Sequence, residues 1–390
     1  MTVKRGWNFL MTPGPTNIPA RILSSMNRPA LEYAGPDFIN LSKQVHKDVR
    51  DLFRTRHKVF IYAANGHGAW EAALSNTLSV GDKILIPGTG QFSLGWSDMA
   101  TSLGIKSFHL ESDWRHGINP KEVADFLSND KKQEIKAVLI VHTDTATGIT
   151  SNIKAVREAI DEVDHPALFM VDTVASLITT DYRMDDWGVD VTVAGCQKGI
   201  MMPPGISFTA ASSKALKINK TSNIPRRYWD WRLRCGDVHY KWYCGTGPIN
   251  MIYGLREAID MIMEETLEVS FNRHNRLAIA VRAAIDQWGK SGSMELNALI
   301  ESERANGVTT VLVDPQINVD ELISHCREHY NVAISHGLGC LEGSSFRIGH
   351  MGFVNEPMVL GALASIELSF KKLGIPHTQG GVVSAMQSLL

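Results

Sequence analysis

Residue 198 is a lysine set between Gln197 and Gly199, directly after the run Val189-Asp190-Val191-Thr192-Val193-Ala194-Gly195. That β-branched, small-residue run reads as a buried parallel strand, and open α/β sheets place their chemistry at the carboxyl ends of such strands. A lysine held there loses hydration, its amine pKa falls, and its lone pair can attack a carbonyl to form a Schiff base. A second run, Ala167-Leu168-Phe169-Met170-Val171, closes on Asp172. A carboxylate at a neighbouring strand end can keep a pyridine nitrogen protonated, so that the ring accepts electrons.

Three further stretches supply complementary chemistry. Ala63-Ala64-Asn65-Gly66-His67-Gly68 follows the strand 58–62 and opens a run of helix formers. Its backbone N–H groups then sit at a helix N-terminus, a cradle for phosphate. It is not the dinucleotide fingerprint, because the third glycine of that motif is missing. Gly88-Thr89-Gly90-Gln91-Phe92 follows the strand 83–87, and its glycines can deliver an aromatic to the face of a ring. His142-Thr143-Asp144-Thr145-Ala146-Thr147-Gly148 ends the strand 137–141 in hydroxyls. These suit a phenolic oxygen, or the cap of the helix that begins near Ile153. A phosphate cradle, an aromatic face, hydroxyls, a carboxylate and an amine, in this order along the chain, are what pyridoxal phosphate requires.

The elements that must position these residues alternate between strand and helix. Residues 41–53 have helical spacing, with Val45, Val49, Leu52 and Phe53 on one stripe. Met11-Thr12-Pro13-Gly14-Pro15-Thr16-Asn17-Ile18-Pro19 cannot be a helix and reads as an extended arm across a site mouth or a subunit interface. After Lys198, Pro203-Pro204-Gly205 turns into the strand 206–210. Residues 226–242 are dense in Trp, Tyr, Arg and His and read as a loop at an interface or over the core. An amphipathic run from 249 to 288 reads as one long helix bridging two domains. Beyond it, strands 308–313, 333–335 and 346–349 alternate with helices 319–329 and 357–373, which predicts a compact C-terminal α/β domain. The expected division is an arm 1–20, a large domain 21–265 and a small domain 266–390.

Bulk properties narrow the class of function. The 390 residues are 44% hydrophobic and 21% charged, an ordinary globular composition with room for two domains. The net charge of −2 gives no field for nucleic acid or an anionic membrane. Cys196, Cys235, Cys244, Cys326 and Cys340 are odd in number and lack metal-type spacing, which fits reduced thiols in a cytoplasmic compartment. The first residues lack an apolar signal region, and no run is long enough to span a bilayer.

The order and spacing of these pieces resemble the class V aminotransferases, of pyridoxal phosphate fold type I, and within them the alanine–glyoxylate and serine–glyoxylate group. The matching pieces are Pro13-Gly14-Pro15-Thr16, Gly66-His67-Gly68, Gly90-Gln91-Phe92, residues 145–148, Val171-Asp172, Gln197-Lys198-Gly199, Tyr243 with Thr246, and Phe346-Arg347-Ile348-Gly349. The resemblance implies an α/β fold: a large, mainly parallel, seven-stranded-type sheet domain with a smaller C-terminal α/β domain. It implies that Lys198 holds pyridoxal 5'-phosphate as a Schiff base, with Asp172 under the pyridine nitrogen. Phe92 would cover the ring face and Thr145 would reach the ring oxygen. Gly66, His67, Gly68 and Gln197 would hold the phosphate. Tyr243 and Thr246 would be donated to the phosphate of the other subunit, making a homodimer with shared sites. Arg347 would clamp the substrate carboxylate, with Thr16 and Tyr33 also at the substrate.

The implied reaction is a ping-pong transfer of an amino group from a small amino acid, such as serine or alanine, to glyoxylate or another small 2-oxo acid. One departure concerns the donor. Serine–glyoxylate members often carry His-Arg before the Gly-Pro that is Gly35-Pro36 here, whereas this chain has Tyr33-Ala34. Aspartate or another amine thus stays open as donor. A lyase or desulfurase on the same cofactor is the remaining alternative. Gln197 argues against it, since desulfurases usually place His before the lysine.

Overall fold

The computed structural model describes residues 6–236 and 238–390. Seven strands form the main sheet: β1 (Lys58–Tyr62), β2 (Lys83–Pro87), β3 (Lys106–Leu110), β4 (Ile135–Val141), β5 (Leu168–Asp172), β6 (Val191–Gly195) and β7 (Ser207–Ala211). Their spatial order is β1-β7-β6-β5-β4-β2-β3. Only β7 runs against its neighbours, so six carboxyl ends share one edge.

Alternation along the strands explains why both faces are covered. Val138, Ile140, Phe169 and Val171 enter one core, packed under helix α1 (Pro36–Leu52) through Phe38, Val45 and Val49. Ala137, Leu139, Val141, Leu168 and Met170 enter the other, with Ala69, Trp70, Ala73 and Leu74 of helix α2 (Gly66–Thr77). Central strands buried on both sides are apolar along their buried length, which is how β4 after Lys136 and β5 before Asp172 read. β3 reads differently: Lys106-Ser107-Phe108-His109-Leu110 is an edge strand, half exposed and polar, and its composition does not announce a strand.

The smaller domain has its own apolar core around an antiparallel sheet of β8 (Met294–Leu296), β9 (Val308–Val313), β10 (Ser335–His336) and β11 (Ser345–Gly349), ordered β8-β9-β11-β10. The expected strand 333–335 is split. Val332–Ala333 pairs in parallel with Phe9–Leu10 of the arm, whereas β10 pairs with β11. The arm is therefore stitched to the small domain before it crosses to the strand ends.

The run 249–288 is not one helix. It breaks at Thr266, whose φ is +71°, into α4 (Ile249–Glu265) and α5 (Leu267–Trp288). The Thr266 hydroxyl accepts the Val269 N–H and caps α5. Residues 226–236 and 238–242 cover the core. Trp231 stacks on Phe60 at 5.1 Å, and the fully buried Arg234 donates to the carbonyls of Ile61, Tyr228 and Trp242. Two short helices, Trp231–Arg234 and His239–Trp242, lie inside what reads as loop. Among the described residues no helix is long and apolar enough to cross a membrane.

Candidate active site

A cavity of about 320 Å³ opens at the shared strand edge. Segments after β1, β4, β5 and β6, together with the arm, meet in it, and it is lined by Gly14, Gly66, His67, Phe92, Thr145, Asp172, Gln197 and Lys198 among others. Asp172 is the last residue of β5 and lies between Val141 of β4 and Val193 of β6 in register. Its carboxylate is 4% exposed. Oδ1 accepts the Val174 N–H at 2.6 Å and Oδ2 accepts the Trp70 indole N–H at 2.8 Å. Burial nevertheless dominates and pushes its pKa up to about 7, with Asp144 adding to the rise and Lys198 opposing it.

Lys198 is 9% exposed, and its ammonium donates to the carbonyl oxygen of Pro13. Burial lowers its pKa from 10.5 to about 8; Arg347 lowers it further, while Asp172 and Asp144 oppose the fall. At neutral pH such an amine is about one-tenth unprotonated, far more than a solvated lysine. Gly14 lets the arm come this close. Its φ is +108°, and a Cβ there would stand 2.5 and 2.6 Å from Lys198 Cδ and Cε.

Gly66 and His67 open α2, where N–H groups have no intrahelical acceptor. Gly68 is placed otherwise. Its N–H goes to the Asn65 side chain, and a Cβ would meet the Trp229 ring at 2.9 Å, so it serves the cap and the packing. Phe92 borders the cavity from the first turn of α3 (Gln91–Ser102) and meets Trp70 edge to face at 6.4 Å. Gln197 Oε1 is buried without a hydrogen-bond partner. Thr145 borders the cavity, and its carbonyl accepts from Arg347 Nη1 at 2.9 Å. Arg347, on β11, also donates from Nε to His336 O at 2.6 Å. Burial lowers its pKa to about 10 while Asp144 opposes the fall, so it stays charged at neutral pH.

The remaining expected residues lie elsewhere. Thr16 supports Lys198 through the backbone: its hydroxyl donates to Lys198 O at 3.2 Å and its N–H to Gln197 O at 3.2 Å. Tyr33, Tyr243 and Thr246 are not in the cavity lining. Tyr33 donates to Gly245 O at 2.5 Å; Tyr243 is buried against Phe38 and His46 and donates to Ser42 Oγ at 3.1 Å; Thr246 is exposed.

Two residues with evident roles lack an assignment from sequence. Trp70 holds Asp172. Asp144, fully buried, accepts the N–H groups of Phe92 (2.9 Å), Ser93 (3.4 Å) and Ala146 (2.9 Å), and so ties the aromatic segment to the hydroxyl segment. The signal for Asp144 was Gly90, where a Cβ would lie 2.4 Å from the Asp144 carboxyl carbon.

These residues fit pyridoxal phosphate. Asp172 is a buried carboxylate that a cationic ring nitrogen would stabilise, Gln197 Oε1 is a polar atom awaiting a partner, and the first turn of α2 offers unused N–H donors.

Comparison with known proteins places the fold in a class. The family model Aminotransferase class-V matches residues 9–357, and the chain belongs to that family. It is 41% identical to the serine–glyoxylate aminotransferase of Arabidopsis thaliana over 99% of this chain and 96% of that one. It is 37% identical to the L-aspartate–glyoxylate aminotransferase of Paracoccus denitrificans over 97% and 95%. The solved structure of ureidoglycine–glyoxylate aminotransferase from Bacillus subtilis superposes with a TM-score of 0.90 at 25% identity, covering 100% and 99% of the two chains. The expected fold, a largely parallel sheet domain with a smaller C-terminal domain, is the fold observed.

Proposed function

We propose that this aminotransferase uses pyridoxal phosphate to move an amino group from a small uncharged amino acid, serine or alanine, to glyoxylate or a similar 2-oxo acid. The observation that carries the reading is that Lys198 Nζ and the Asp172 carboxylate share one buried cavity beside the open N-terminus of α2. When bound, the cofactor supplies an aldehyde to receive the amino group and a ring to accept electrons. Lys198 Nζ takes the proton from the substrate Cα and returns it during transfer, a task suited to a pKa of about 8. Asp172 holds the ring nitrogen's proton. Phe92 excludes water from one ring face, and Arg347 orients the substrate carboxylate with its planar fork.

The preference for an uncharged donor rests on the cations available. A dicarboxylic donor needs a second fixed cation; among the described residues the lining has Lys198 as its cation, burial lowers the pKa of His67 and keeps it neutral, and Arg347 stands outside the lining, bonded to Thr145 O. The exposed Thr246, beside the Tyr33–Gly245 contact, supports a homodimer in which a second copy completes each site. Five unpaired cysteines support a reducing, cytoplasmic setting. The test is to load the purified protein with pyridoxal phosphate and follow glycine formation from glyoxylate with L-serine, L-alanine or L-aspartate. Glycine with parallel double-reciprocal lines is expected from serine or alanine. No glycine from any donor would remove the reading, and aspartate as the best donor would remove its donor preference.

A further inference from the structure

Each Asp172 oxygen is pinned by one donor from a different element: Oδ1 by the Val174 N–H just beyond β5, and Oδ2 by the Trp70 N–H on α2. A carboxylate so tied cannot rotate about its Cβ–Cγ bond, and its remaining lone pairs keep a fixed direction. Trp70 is itself 2% exposed and firmly seated. It stacks on Trp96 at 5.8 Å and 14°, meets Phe92 edge to face, and packs on His67 at 4.6 Å. Trp96, equally buried, has an Nε1 without a hydrogen-bond partner. The two stacked indoles thus differ in one respect: only one spends its N–H on the site.

We propose that Trp70 is the positioning residue of the cofactor's ring nitrogen, acting through Asp172: its indole N–H fixes the carboxylate's orientation and holds it ionised. The charged or titratable groups around this pair are Asp144, which opposes ionisation of Asp172, Lys198, which favours it, and His67 against the Trp70 ring. Without the indole donor, Asp172 holds a proton more readily and attracts a ring-nitrogen proton less. A less positive ring withdraws less charge, so the bound cofactor's visible band titrates at higher pH. The inference rests on the reading that pyridoxal phosphate fills the cavity, and on nothing in the glyoxylate assignment.

The experiment compares Trp70→Phe with Trp96→Phe, two equal losses from one stack, by cofactor dissociation constant and by pH titration of the visible band. Trp70→Phe is expected to weaken pyridoxal phosphate binding about tenfold, the loss of one charge-assisted hydrogen bond, and to move the band midpoint upward. Trp96→Phe is expected to leave both within about twofold. Equal effects in the two variants would overturn the inference while the cofactor reading stands. A wild-type protein that takes up no cofactor would overturn the cofactor reading and this inference with it, a result told apart by needing no variant. If Trp70→Phe fails to fold, 3-benzothienylalanine at position 70 keeps the ring and removes only the N–H; unchanged binding and midpoint there would likewise overturn the proposal.

Discussion

Arg347 Nη1 donates to the carbonyl oxygen of Thr145 at 2.9 Å, so the small domain's arginine is fastened to the segment that follows β4 in the large domain. A second bond, from Nε to His336 O, completes the fixation. Arg347 is not itself in the cavity lining, but Thr145 is, so the bond ties an oriented guanidinium to the cavity wall.

This fixation sets the expected effect of Arg347→Lys. A lysine keeps the charge but loses the fork and both carbonyl anchors. KM for both carboxylate substrates should rise about 10- to 100-fold, as for loss of a charge-assisted bidentate contact, with a smaller change in kcat. Steady-state kinetics with varied amino acid and varied 2-oxo acid check this; an unchanged KM for either would deny the clamp.

The buried amine makes a prediction about stability as well as rate. Lys198 titrates at about 8 in the folded chain against 10.5 ordinarily, so the folded state disfavours its proton. Stability from this group is fully present above about 10.5 and is lost as pH falls toward 8, leaving a constant deficit at pH 7. Lys198→Met should therefore abolish turnover and yet stabilise the cofactor-free protein at pH 7 by about 1–3 kcal/mol, the lost Pro13 hydrogen bond offsetting part of the gain. Urea unfolding together with an activity assay checks both halves. A destabilised variant would mean that the Pro13 contact outweighs desolvation.

The strand ends that carry chemistry were legible because central strands buried on both faces are unmistakably apolar and stop abruptly at polar residues. Asp172 and Lys198 stood out for that reason. What the sequence concealed were partners supplied from far away. Nothing local says that Trp70 reaches Asp172, 102 positions on, or that the Pro13 carbonyl meets the lysine. The break at Thr266 was hidden because the apolar stripe continues on both sides of it, although Thr266 with Glu268 in the first turn is an ordinary helix-start signal. Tyr243 illustrates the opposite case. Its place in a motif is plain, whereas its buried bond to Ser42 follows only from the packing of α1 against residues 239–247.

Gly14 is a position where one methyl group decides the site. Alanine there would face both a φ of +108° and the Lys198 side chain at 2.5 Å. Gly14→Ala should cost about 1–3 kcal/mol of stability and, by displacing Lys198, lower kcat at least about 100-fold. Thermal melting and turnover measure the two effects separately. Normal turnover would show that the arm can shift without moving the amine.

Acid sensitivity follows from histidines buried in the neutral form. His142, His274 and His350 are each at most 3% exposed, and burial lowers each from 6.5 to about 3. His274 shows why: Nδ1 donates to Ser270 O at 2.7 Å while Nε2 accepts the Gly352 N–H at 2.9 Å, so a second ring proton would break the latter bond. In the unfolded chain these rings take protons near pH 6.5, in the folded chain only near 3. Their stability is whole above about 6.5 and is lost as pH falls through that window. Asp144 and Asp172, raised to about 6 and about 7, act oppositely, gaining stability as pH falls toward 3.8. His46 is lowered to about 3 as well, and four histidines against two carboxylates leave a net loss of about two protons' worth between pH 6 and 4, about 3 kcal/mol per pH unit. Urea unfolding of the cofactor-free protein at pH 7, 6 and 5 should show that decline, and His274→Gln should roughly halve it. The segment at risk is the one that seats the catalytic amine, since Gly352 packs against the Lys198 carbonyl, where a Cβ would stand 3.1 Å away. Acid should therefore release the cofactor before it unfolds the sheet. Simultaneous loss of the visible band and of far-ultraviolet ellipticity would contradict that order.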